Sequence, residues 1–150
     1  MSDLDGAELL PVTSRTVKSF SLAVEASIAA VRDEVAHLHY ELVRNNLVVW
    51  TGGNVSGRVP GADLFVIKTS GVDYDDLEPA NMILCDLDGS VIPGTPGSER
   101  SPSSDTAAHA YVYRNMPWVG GVVHTHSTYA TAWAARGEEI PQWEFCDGFM

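Results

Sequence analysis

Gly120-Gly121-Val122-Val123-His124-Thr125-His126 reads as a β-strand that ends in two histidines spaced i, i+2. Alternate side chains of a strand point to the same face. His124 and His126 are therefore expected side by side, with Val122 on their face and Val123 and Thr125 on the other. Two imidazoles on one face are half of a metal site. The plain alternative is a pair of polar residues at a strand end, and the packed Gly-Gly-Val-Val run before them favours the ligand reading.

His37 and His39 carry the same letters and the opposite expectation. They lie in Ser21–Arg44, where Leu22, Ile28, Val31, Val35, Leu38 and Leu42 recur near the helical period. Two steps along a helix turn through about 200°, so this pair diverges and cannot hold one ion together.

The chain has 150 residues, of which 45% are hydrophobic and 19% charged, the composition of an ordinary globular domain with one core. Nine basic against twenty acidic residues give a net charge of −11, which argues against a nucleic-acid partner. A small phosphorylated substrate needs only a local cluster of donors and is compatible with that charge. No apolar run approaches membrane-spanning length, and Met1-Ser2-Asp3-Leu4-Asp5 is unlike a signal peptide. No membrane partner is expected, and the cytoplasm is the expected compartment. Cys85 and Cys146 have no motif spacing and are expected to be reduced and partly buried.

Residues 1–17 read as a loose leader, and 18–150 as one domain. After the long helix, Leu47-Val48-Val49-Trp50 is a candidate strand running into a glycine-hinged loop, Thr51-Gly52-Gly53-Asn54-Val55-Ser56-Gly57. Asp63–Lys68 is a β run. Met82–Leu87 and Ser90–Pro93 read as a hairpin about Asp88-Gly89. Helices are expected from about Ser104 to Asn115 and from Thr128 to Ala135, the latter stopped by Gly137. Helices flanking a sheet make a layered α/β domain.

Arg100-Ser101-Pro102-Ser103-Ser104-Asp105-Thr106 opens a helix, where short polar side chains cap free backbone N–H groups. Those groups and the helix dipole also suit an anion. Simple capping needs one such residue, and Ser103, Ser104 and Asp105 supply three. Asp105 adds a carboxylate that could join the histidines as a ligand or serve as an acid or base. Thr69-Ser70-Gly71, after a strand that ends in Lys68, is a second candidate phosphate loop, and Asn54 could donate to a substrate oxygen.

Asn54-Val55-Ser56, Ile67-Lys68-Thr69-Ser70-Gly71-Val72-Asp73-Tyr74, Pro102-Ser103-Ser104-Asp105-Thr106 and Gly121-Val122-Val123-His124-Thr125-His126-Ser127 occur in this order. Together they closely resemble the class II aldolase family that includes L-ribulose-5-phosphate 4-epimerase, over roughly residues 20–150. The resemblance implies a central, mainly antiparallel sheet flanked by helices. It implies that His124 and His126 ligate a metal, usually zinc, with manganese or another divalent ion as the alternative, and that Asp105 stands beside that metal. Ser70, Gly71, Ser103 and Ser104 match groups that hold a substrate phosphate, and Asn54 and Lys68 match pocket residues. The implied substrate is a phosphorylated ketose, cleaved and rejoined next to its carbonyl through a metal-stabilised enediolate, in a homotetramer.

Asp105 within Ser-Ser-Asp-Thr looks more like the epimerase branch, since the fuculose-phosphate aldolase branch carries Glu there. A non-catalytic domain like the adducin head is a further alternative on the same fold. The family's third histidine ligand comes from a later part of the fold. Here no His follows His126 and the chain stops at Met150, so a C-terminally incomplete domain is expected. Asp147 resembles a family acid/base residue if two residues are absent before it. Trp143, Phe145, Phe149 and Met150 are expected to leave apolar surface exposed or to form an oligomer contact.

Overall fold

Ser21 opens the first helix of a computed structural model that describes residues 19–140. Its hydroxyl accepts a hydrogen bond from Val24 N (3.4 Å), satisfying one of the free N–H groups of the first turn. Helix α1 (Leu22–Arg44) buries Ile28, Val31, Val35, His39 and Leu42 along one stripe. It stops at Asn45, after which Asn46 takes φ 55°, a left-handed conformation that Asn tolerates. The leader, Cys146, Asp147 and the apolar residues near the end lie outside the described residues.

Strands β1 (Asn54–Arg58), β2 (Leu64–Lys68), β3 (Met82–Asp86) and β4 (Gly121–His124) form one antiparallel sheet in the order β3-β2-β1-β4. Its two faces divide the core by the two-residue strand period. Leu64, Val66, Met82 and Leu84 pack on Ile28, Val31 and Val35 of α1. Phe65, Ile67, Ile83 and Cys85 pack on Ala110 and Tyr113 of helix α2 (Thr106–Asn115). The result is helix, sheet, helix, with β2 and most of β3 buried on both faces. Ile83 has no exposed surface, so its truncation to Ala costs about 2–5 kcal/mol. Burial pushes the Cys85 thiol up to about 12, aided by the Asp86 charge, so it is an inert core residue.

Three local expectations need correction. Leu47–Trp50 is not a strand, because Leu47 O accepts from His126 N (2.8 Å) and Val49 O from Gly52 N (3.1 Å). The strand begins at Asn54, in the stretch read as a loop. The Asp88-Gly89 turn forms, with Asp86 Oδ1 accepting from Asp88 N and Ser90 N, but its second arm is a single bridge, Cys85↔Val91. Pro93 has no N–H to continue a ladder, and Gly94 at φ 76° turns the chain away. Helix α2 starts at Thr106, not Ser104. Helix α3 (Thr128–Arg136) ends at left-handed Gly137. Among the described residues no helix is long and apolar enough to cross a membrane.

Candidate functional site

The register of β1 against β4 sets Asn54 opposite His124 and Ser56 opposite Val122. Opposed residues of an antiparallel pair share a face, so these four side chains look toward α2. Asp105, His109 and Tyr113 approach from that side at helical i, i+4 spacing. Asp105 Oδ2 accepts from His124 Nδ1 (2.7 Å) and from Asn54 Nδ2 (2.7 Å), and Asn54 Nδ2 also lies 3.1 Å from Ser103 Oγ. Burial raises the Asp105 pKa, but the hydrogen bonds from His124 and Asn54 and the nearby histidines bring it below the usual value.

Asp105 occupies the N-cap position of α2 without making the side-chain cap, since its carboxylate is turned to His124 and Asn54. β4 ends at His124, so His126 stands just beyond the strand, and the two rings still lie 4.8 Å apart between centroids. Both histidines are exposed. The control pair behaves as its helix dictates. Buried His39 donates from Nδ1 to Val35 O (2.6 Å) and accepts at Nε2 from Val55 N (3.0 Å), a neutral structural imidazole linking α1 to β1.

The two candidate phosphate loops are joined to each other. Ser70 N donates to Ser101 O (2.9 Å), Ser103 N to Lys68 O (3.0 Å) and Thr69 Oγ1 to Ser101 O (3.1 Å). Those two N–H groups are therefore committed, while the side chains of Ser70 and Ser104 are exposed on this surface. Gly71, exposed at φ 70°, has open space where a Cβ would stand. Lys68 is buried rather than displayed. Its Nζ donates to Thr51 O (2.9 Å) and lies over the Tyr74 ring. Burial lowers its pKa, while the charges of Asp105 and Asp73 act to raise it.

Tyr74 and the Ser56–His109–Tyr113 cluster had no role in the sequence reading. Tyr74 Oη, its pKa pushed up to about 12 by burial, donates between Gly52 O (2.9 Å) and Gly53 O (3.0 Å) and so clamps the glycine loop. Ser56 Oγ is 2.7 Å from both His109 Nδ1 and Tyr113 Oη, beneath Asn54 and Asp105. Burial lowers the His109 pKa. The spacing Asp105, His109, Tyr113 was the available signal for this face.

Two imidazoles and a carboxylate have the chemistry of an open divalent-metal site. Among the described residues, no three His, Cys, Asp or Glu side chains are gathered in a metal-holding cluster. What the geometry offers is a histidine pair with Asp105 holding one ring. In that arrangement the two histidines are the candidate metal ligands, and the carboxylate would orient His124.

Residues 33–149 match the class II aldolase and adducin N-terminal domain family. A solved L-fuculose 1-phosphate aldolase is 31% identical and superposes with a TM-score of 0.68, over 75% of this chain and 51% of that one. YgbL of Escherichia coli, described as a putative aldolase/epimerase/decarboxylase, is 25% identical at a TM-score of 0.62, over 71% of this chain and 49% of that one. An L-fuculose 1-phosphate aldolase from Glaciozyma antarctica PI12 shares the fold at 21% identity and a TM-score of 0.68, over 81% and 50%. The chain thus spans about half the length of these structures. With the ordered motifs, the helix–sheet–helix layers and this match over most of its length, the chain belongs to the class II aldolase and adducin N-terminal domain family.

Proposed function

We propose that this chain serves metal-dependent cleavage and re-formation of a carbon–carbon bond in a phosphorylated ketose, of the L-ribulose-5-phosphate 4-epimerase type. The observation that carries the reading is the bond from His124 Nδ1 to Asp105 Oδ2 (2.7 Å) beside a second imidazole. A carboxylate can only accept here, so Nδ1 carries a proton, and in the neutral ring Nε2 would be the nitrogen left to hold a metal. His124 and His126 would hold zinc, or manganese. Such an ion supplies Lewis acidity toward the ketose carbonyl. Asn54 fixes Asp105 by its amide, and Ser103 supports Asn54 from below. The hydroxyls of Ser70 and Ser104, beside open Gly71, receive the phosphate, and buried Lys68 braces the glycine loop while adding positive potential. Asp147 is the proposed further acid/base, in a cytoplasmic homotetramer.

The 31% identity to an L-fuculose 1-phosphate aldolase favours a second reading on the same residues, cleavage to an aldehyde without re-addition. Elemental analysis of the dialysed chain, with its solution mass, comes first, followed by product analysis on L-ribulose 5-phosphate and L-fuculose 1-phosphate. About one metal per chain and an epimerised pentulose would support the first reading, and a released aldehyde the second. Absence of metal, or metal retained in full by His124→Ala, would overturn both.

A further inference from the structure

A cavity of about 440 Å³ lies between the N-terminal half of α1, the chain around Pro79 and Ala80, and the Gly94–Pro96 loop. Leu84 of β3 lines it. β3 and β4 are the opposite edges of the sheet, roughly 14 Å apart at ordinary strand spacing. The cavity is therefore separate from the histidine edge. Its walls are mostly apolar, from Phe20, Ile28, Ala80 and Leu84, and one guanidinium, that of Arg32, enters them.

Arg32 is 8% exposed, and its Nε is buried with no hydrogen-bond partner among the described residues. Its one hydrogen bond among the described residues runs from Nη2 to Pro96 O (3.0 Å), and no carboxylate there pairs with it. The other inward cations are served differently. Lys68 has Thr51 O and the Tyr74 ring, and Arg58 has two carbonyls and the Tyr113 ring. A buried charge is ordinarily paired, because desolvation without a counter-charge is costly. A mostly apolar cavity with a few convergent polar groups is also the usual form of a small-ligand site. Glu25 and Asp33 at its wall are exposed, so water screens their charge, and one buried guanidinium suits one carboxylate.

We propose that this cavity binds a small monocarboxylate whose apolar body fills it and whose carboxylate meets Arg32. The test is an amide NMR titration of the whole chain with 3-phenylpropionate, run beside its neutral amide and inorganic phosphate. The expected result is saturable shifts around Ile28, Ala80 and Thr95 with Kd on the order of 1 mM or tighter. The amide should bind at least about tenfold more weakly, and Arg32→Gln should bring the acid down to the level of the amide. Should Arg32→Gln fail to fold, Ala29→Phe decides. Ala29 is exposed at the cavity wall, so the larger side chain fills the space with Arg32 intact and abolishes acid binding. Equal affinity for acid and amide, binding unchanged by Ala29→Phe, tighter binding of phosphate, shifts centred on His124, or no saturable shifts would each overturn the proposal.

Discussion

Asp105 Oδ2 sits 2.7 Å from His124 Nδ1, tying the start of α2 to the end of the edge strand β4. The side chains are 33% and 44% exposed, and a side-chain pair so open to water contributes only about 0–1 kcal/mol to stability. Holding the fold is therefore a poor explanation for a carboxylate taken away from its helix-capping position. Orientation of the imidazole explains it better. Asp105→Asn should lower zinc affinity by about 10–100-fold while the thermal midpoint stays nearly unchanged. Metal titration and thermal melts on one sample decide it, and wild-type affinity in the variant would remove the orienting role.

Ser103 and Ser104 are adjacent, yet their environments separate them. Ser103 is buried and hydrogen-bonded to Asn54, while Ser104 is exposed. Ser103→Ala should cost about 1 kcal/mol of stability by leaving Asn54 Nδ2 one partner short. Ser104→Ala should leave stability unchanged and weaken inorganic phosphate binding. Denaturant unfolding with a phosphate titration separates the two. Equal stability losses would mean that both serines serve only the start of the helix.

The legible parts of this fold were those with strong periodicity. α1 shows its buried stripe, and β2, Leu64–Lys68, is a continuous apolar run because both its faces are covered. β1 reads as loop because its letters, Asn-Val-Ser-Gly-Arg, carry no apolar pattern. Its Asn54 and Ser56 face the polar groups of α2, and Gly57 fits beneath Val31 and Val35, where a Cβ would stand 2.8 Å from Val31 Cγ1. Function and close packing replaced the hydrophobic signal on the strand that positions the site. The His124–His126 pair was legible because two exposed rings at and just past the end of a strand have no core to fill. Tyr74 and His109 were not, since their partners are backbone or side-chain atoms distant in sequence.

Gly53 is fixed by two separate constraints. It takes φ 76°, and a Cβ there would lie 2.6 Å from Val48 Cγ1 and 2.9 Å from His124 O. Gly53→Ala should therefore destabilise by roughly 1–3 kcal/mol from backbone strain alone, before the steric clash is counted. Because the clash falls on the His124 carbonyl, metal affinity should drop as well. Chemical unfolding and metal titration check the pair of effects, and a stable variant with intact metal binding would show that the loop relaxes freely.

His39 gives the fold a defined acid sensitivity. Burial, the largest cause, pushes its pKa down from 6.5 to about 4, and the Lys68 and His109 charges add to this against the Val35 hydrogen bond. The folded state keeps the ring neutral, while the unfolded chain takes up a proton once the pH falls below the ordinary histidine value. The stabilisation is thus present above about pH 6.5 and is lost as pH falls toward 4. Between pH 7 and pH 5 the loss amounts to ~2 kcal/mol, an upper bound for one buried group. His109, also lowered by burial, adds in the same direction, so the informative quantity is the difference between wild type and His39→Gln. Glutamine can still offer an amide donor and a carbonyl acceptor in that place. The variant should be less stable at pH 7 and visibly flatter in urea unfolding between pH 7 and 5. Parallel pH profiles would show that His39 titrates normally and that the link from α1 to Val55 is not the acid-labile element.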